Sequence, residues 1–192
     1  MNRIFNLELS PTLWRTCRVL AGATRLRLLR LVLAAPGATV TWLAEEAEIS
    51  LSRASQELRR LQSRGLLRVA RQGAFVRYAP EPDPLVPSAR PLLAALKLTF
   101  ALGKSAQDRK IQRQATGLSH PRRLLLLGEL LDGPRTIPML QAALSIPDDA
   151  VYRHLRLLEQ GGWVSMKSGV LHATRSSHPL RRCLTDLVKS NR

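Results

Sequence analysis

The sequence predicts a mainly α-helical protein with small β-hairpins, assembled from two copies of one unit: helix, turn, helix, hairpin. Three observations carry this. The stretch from Ile49 to Tyr78 reads as a short turn, an amphipathic helix, a glycine stop and a basic two-stranded hairpin. Adding 97 to a residue number carries Arg25 to Arg122, Leu28 and Leu29 to Leu125 and Leu126, Leu43 to Leu140, Leu58 to Leu155, Leu61 to Leu158 and Gly65 to Gly162 without a gap, a register that chance does not give at so many core positions. A chain of 192 residues, 45% hydrophobic, holds one medium or two small cores, and its 30 basic against 14 acidic side chains leave +16.

The elements follow in order. Ser10 as N-cap and Pro11 at N1 open a first helix to about Leu20, with Leu13, Cys17 and Leu20 on one face. Ala23 to Ala34 is a second helix burying Leu28, Leu29 and Val32, stopped at Pro36-Gly37. Val40 to Ala47 is short and carries Trp42 and Leu43; a turn at Glu48 to Ser50 precedes the next helix. There Ala54, Leu58 and Leu61 recur at i, i+4 and i+7, which turns Ser52, Arg53, Ser55, Gln56, Arg59 and Arg60 outward. Gly65 ends the helix, and Leu67 to Arg71 and Ala74 to Tyr78 flank a Gln72-Gly73 turn.

The proline run from Pro80 to Pro84 closes the first module, because proline neither continues a strand nor sits inside a helix. Helices follow from about Pro91 to Phe100 and from Ala106 to Ala115. The second copy then runs to a hairpin, Val164 to Ala173 with a Ser168-Gly169 turn, and a closing helix around Leu180 and Leu184. The expected division is residues 1–80, a helical connector at 81–114, and residues 115–192.

Ala23-Thr24-Arg25-Leu26-Arg27-Leu28-Leu29, Trp42-Leu43-Ala44, Ile49-Ser50-x-Ser52, and Leu58-x-x-Leu61 followed by Gly65-Leu66-Leu67 resemble, in order and spacing, the ArsR-type winged helix-turn-helix regulators. Val151-Tyr152-Arg153-His154-Leu155-Arg156-Leu157-Leu158-Glu159 resembles the same family in the second half. The resemblance implies a tandem winged helix-turn-helix, two fused copies that supply within one polypeptide the dimer the family builds from two chains. Pro91 to Phe100 and Pro179 to Val188 would then pack with the helices near Trp14 and Ile111 as an intramolecular pseudo-dimer, and further homodimerisation of whole chains stays compatible with the sequence. It also implies transcriptional repression.

A helix in the major groove reads base edges with its N-terminal half, while hairpin and flanking cations hold phosphates. In copy one the base readers are Ser52, Arg53, Ser55 and Gln56: the Gln amide matches adenine and the Arg fork matches guanine. Arg59, Arg60, Arg68, Arg71 and Arg77 are phosphate holders, with Arg71 and Arg77 also candidates for a minor groove. Copy two opens its helix on Pro147-Asp148-Asp149, acids that suit the helix dipole but oppose a polyanion. Tyr152 and Arg153 remain for bases, and Arg156 and Lys167 for phosphates, so copy two is expected to be the weaker reader. Two half-sites about one helical turn apart follow from this arrangement.

Of the 30 basic residues 25 are Arg, the side chain suited to forked contacts with phosphate and guanine, so double-stranded DNA is the expected partner. No catalytic signature is present: there is no phosphate-binding glycine loop and no nucleophile elbow. No cofactor is expected. The positions where relatives place metal-binding thiolates hold Val40-Thr41-Trp42-Leu43 and Ile137-Pro138-Met139-Leu140, and the four histidines lack ligand spacing, so no metal site is expected. Cys17 and Cys183 read as apolar fillers, with a redox pair as the alternative, and Trp14, Trp42 and Trp163 as core or interface. A cytoplasmic protein with no membrane segment is the expectation. The rival readings are a protein-binding scaffold, like the tandem winged partner of bacterial condensin, and charge-driven nucleoid or RNA binding.

Overall fold

The computed structural model describes residues 12–103 and 105–190; the expected helix start at Ser10 and Pro11 lies outside them. The first elements are α1 (Leu13–Leu20), α2 (Ala23–Ala34), β1 (Ala38–Thr39), α3 (Val40–Glu46), α4 (Leu51–Gln62), β2 (Arg68–Gln72), β3 (Phe75–Ala79) and α5 (Ala89–Ala101). After them come α6 (Ser105–Leu118), α7 (Pro121–Asp132), β4 (Arg135–Thr136), α8 (Ile137–Leu144), α9 (Asp148–Gln160), β5 (Val164–Lys167), β6 (Val170–Ala173) and α10 (Pro179–Ser190). The fold is mainly helical with small antiparallel hairpins, the winged helix-turn-helix arrangement. No described helix is long and apolar enough to cross a membrane.

The described residues divide into two compact units, one within 22–109 and one of residues 110–190 together with 12–21. Helix α5 falls in the first unit and most of α6 in the second. Helix α1 joins the second unit because its apolar face, Leu13, Cys17 and Leu20, is buried there.

In the first unit α2, α3 and α4 bury Leu26, Leu29, Leu43, Leu58 and Leu61 against one another, and α5 adds Leu92 and Leu96. Thr39 caps α3 by accepting from the Trp42 amide, and Ser50 caps α4 by accepting from the Arg53 amide at 3.3 Å, each stabilising by about 1 kcal/mol. Between the helices Glu48 takes a left-handed φ of 52°, and Arg27 holds this turn by donating to the Glu46 carbonyl and the Glu48 carboxylate. Gly65 is left-handed at φ 71°, and a Cβ there would stand 2.8 Å from Val86; glycine is required on both counts. The sheet order is β1-β3-β2. The hairpin turn is Gly73-Ala74, one residue later than expected, because Gly73 supplies the positive φ of 59°.

The second unit runs through the same succession: sheet order β4-β6-β5, a Thr136 cap on α8, a left-handed Ser145 after α8 and a left-handed Gly162 after α9. Its centre is Trp163, fully buried, donating its indole N–H to the Gln114 carbonyl at 2.8 Å. A Cβ on Gly117 or on Gly161 would approach the ring to 2.6 and 2.7 Å. The buried Arg181 guanidinium stacks on the indole at 4.1 Å and donates to the carbonyls of Gly162 and Thr174. Desolvation alone lowers its pKa to about 10, so it stays charged.

Candidate nucleic-acid interface

Helix α4 presents the face its periodicity demands. Ala54, Leu58 and Leu61 are buried; Ser52, Arg53, Gln56, Arg59 and Arg60 are exposed and Ser55 is half-buried. What fixes the helix was missed from sequence: Glu57, only 8% exposed, accepts from Arg25 of α2 at 2.8 Å and from Arg60 at 2.9 Å. Burial pushes this carboxyl upward, but hydrogen bonds and charge from Arg25 and Arg60 outweigh it and hold it below its ordinary value. The available signal was an acid on the apolar stripe, three residues before an arginine.

The cations of the first unit sort by what already holds them. Arg60 is committed to Glu57, Arg53 leans 3.4 Å from the Thr24 hydroxyl, and Arg68 lies 3.8 Å from Glu81. Arg77 is half-buried and donates to the Gly37 carbonyl at 2.9 Å, so it braces β3 against the loop before β1. Among the described residues Arg59 and Arg71 meet no carboxylate. These two line a groove of about 450 Å³ between α4 and the hairpin, together with Ser55, Gln62, Thr39 and Thr41 over Val69, Val76 and Tyr78. A polar, cationic rim over an apolar floor suits a sugar-phosphate strand. Trp42 does not enter the core: it is 37% exposed on α3, because the buried stripe of that helix is Val40, Leu43 and Ala44.

The second unit brings its expected residues to the matching surface in a different state. Tyr152, Arg153 and Arg156 are exposed on α9 and Lys167 ends β5. Arg153, however, is bound to Asp149 at 2.8 Å, and α9 begins on Pro147 with no side-chain cap. Where the first unit has Glu57 and Ala23, the second has His154 and His120, whose rings lie 4.6 Å apart. Burial, then the charges of His120 and of Arg123, Arg122 and Arg153, lower His154 to about 4. Burial followed by Arg123, Arg122 and Arg18 lowers His120 as well, so both rings are neutral near pH 7. Sequence spacing gave no sign of this pair. No group of three metal-ligating side chains occurs among the described residues. Cys17 and Cys183 are free thiols, pushed up to about 12 and about 11 by burial.

The hairpins also differ in length. Val69 opposite Tyr78 corresponds to Met166 opposite Leu171, and beyond the next rung the first hairpin continues through Arg71 opposite Val76 and Gln72 opposite Phe75. The second turns at once. The first wing is two rungs longer, about 7 Å of reach.

Residues 22–74 match the model of the MarR family, which places a winged helix-turn-helix domain of a DNA-binding regulator family over α2 to the first hairpin strand. The match is to that family rather than to the ArsR type. No curated protein and no solved structure matches the chain.

Proposed function

We propose that the chain is a sequence-specific, double-stranded-DNA-binding transcription regulator, acting as a repressor by occluding its operator, in which two fused winged copies read DNA unequally. The observation that carries it is the groove between α4 and the longer wing, where Arg59 and Arg71 stand without a carboxylate. With α4 in a major groove and the wing over the neighbouring minor groove, the intervening backbone strand lies in that groove. Ser52, Arg53, Ser55 and Gln56 then face base edges. Arg60 and Arg68 reach phosphates from the rim, and Arg77 acts by bracing the wing.

The second unit contributes less. Asp149 neutralises Arg153, the capping hydroxyl is missing, and the wing is short, which leaves Tyr152, Arg156 and Lys167. No step in this mechanism requires a catalytic residue or a cofactor. The test is selection of bound duplexes from a random pool at near-physiological salt, with Arg53→Ala/Gln56→Ala in parallel. One strong and one weaker half-site, lost in the double variant, are expected; binding without enrichment that collapses as salt rises would falsify the reading.

A second reading applies to residues 110–192 alone. Met139, Tyr152 and Met166 are all exposed there, at the positions of Trp42, Ser55 and Val69. Such a face suits a protein partner, and the signature is a pool that enriches only one half-site.

A further inference from the structure

Phe75 is 56% exposed at the tip of the first wing, in the last rung before the Gly73-Ala74 turn. Side chains alternate across a hairpin, so Phe75 shares its face with Arg77, Ala79 and their partners Gln72, Ala70 and Arg68. It is therefore the single large apolar side chain on that face, flanked by polar and cationic ones, with the Arg77 guanidinium 6.0 Å from its ring. The groove beside it is floored by Leu51, Val69 and Val76, but on its own face of the ribbon Phe75 has only polar, cationic and small neighbours. One exposed ring at the end of a narrow cationic ribbon has the form of a wedge.

The reach is right for one groove. The two extra rungs extend the first wing by about 7 Å, and a B-form minor groove is about 7.5 Å deep. The second wing ends one rung past Met166, with half-buried Val170 opposite Lys167, and has no aromatic side chain at its tip.

Resting on the regulator reading above, we infer that the first wing drives Phe75 into the minor groove and partly unstacks one base step there. Arg71 sits on the backbone strand beside it. Unstacking costs least at pyrimidine–purine steps, so the wing selects a deformable step that no side chain reads by hydrogen bonding.

The test uses the full chain and duplexes enriched from a random pool, with 2-aminopurine replacing adenine at each position in turn and a dye pair at the ends reporting bend. Wild-type protein raises 2-aminopurine emission at one step flanking the strong half-site. Phe75→Ala abolishes that signal and weakens binding about tenfold, the cost of one mismatched base pair, while Phe75→Leu keeps most of both. The bases read by α4 stay enriched in all three. Enrichment with no unstacking, or with the same unstacking in Phe75→Ala, overturns the wedge and leaves the regulator reading standing. No enrichment at all removes both.

Discussion

Glu57 in the first unit stands where His154 stands in the second, and the exchange changes what holds the helix before the wing in place. In residues 22–109 a carboxylate gathers Arg25 and Arg60, so α4 is pinned to α2 by charge. In the second unit the counterpart of Arg25 is Arg122, and the counterpart of Glu57 is a neutral imidazole tilted against His120. That unit is held instead by bulk: Trp163, where the first has Leu66, fills the space left by Gly117 and Gly161. The two units share one succession of elements but differ in what holds them, an acidic pin under a cationic face in the first and an aromatic core under a partly neutralised face in the second.

The largest expected effect breaks the comparison at the core. Trp163→Ala removes the ring, its hydrogen bond to Gln114 and the Arg181 stack, at a cost of about 3–5 kcal/mol, and Gly117→Val acts in the same direction by forcing the ring out. Amide exchange read by mass spectrometry should show protection lost across residues 110–190 and kept across α2 to α5. Equal loss in both would mean that they do not unfold as separate units.

Next comes the pin itself. Glu57→His should destabilise the first unit by roughly 2 kcal/mol, less than for a fully buried pair because Arg60 is half exposed. His154→Glu should stabilise the second, since a carboxylate there meets Arg122 and Arg123. Acid separates the two as well. A histidine with a lowered folded pKa takes its proton more readily when unfolded, so its contribution is complete above the ordinary 6.5 and is lost as pH falls toward about 4. Glu57, held below 4.5, loses its contribution only as pH falls through that lowered value. Exchange followed between pH 6.5 and 4.5 should therefore show the second unit loosening first, and His154→Glu should remove the difference.

Binding sharpens the comparison at the third level. Arg59→Ala/Arg71→Ala should lower the salt dependence of affinity by about two units of slope, one per phosphate contact. Arg156→Ala/Lys167→Ala should lower it by roughly half as much or less. Equal slopes would mean equal readers.

Helices and wings were legible because they rest on short-range signals. Periodicity placed α4, Gly65 marked its end, and the 97-residue register located the second set of elements. The site was legible as a list of cations but not as a sorted one. Arg53 and Arg77 are engaged by partners 29 and 40 residues away, Thr24 and Gly37, which no local pattern encodes, whereas Arg60 and Arg153 meet acids three and four residues away. Glu57 and the His120–His154 pair escaped for the same reason: each is made where two helices cross. Of the two readings of Trp42, core or interface, its exposure leaves the interface, because the buried stripe of its seven-residue helix is Val40, Leu43 and Ala44.

The smallest change tests the asymmetry from the opposite side. Asp149 and Arg153 form an exposed pair at the start of α9, and an exposed pair stabilises by about 1 kcal/mol at most, so Asp149→Asn should leave folding almost unchanged. On the proposed reading its effect on DNA should be larger than its effect on stability, because it removes one negative charge from the start of α9 and releases one guanidinium. Affinity should rise about threefold, the salt slope should steepen by up to about one, and the weaker half-site should gain enrichment. If none of these moves, α9 does not touch the duplex. The exposed Tyr152, Met139 and Met166 would then be the surface to follow, with a protein rather than a second half-site as its partner.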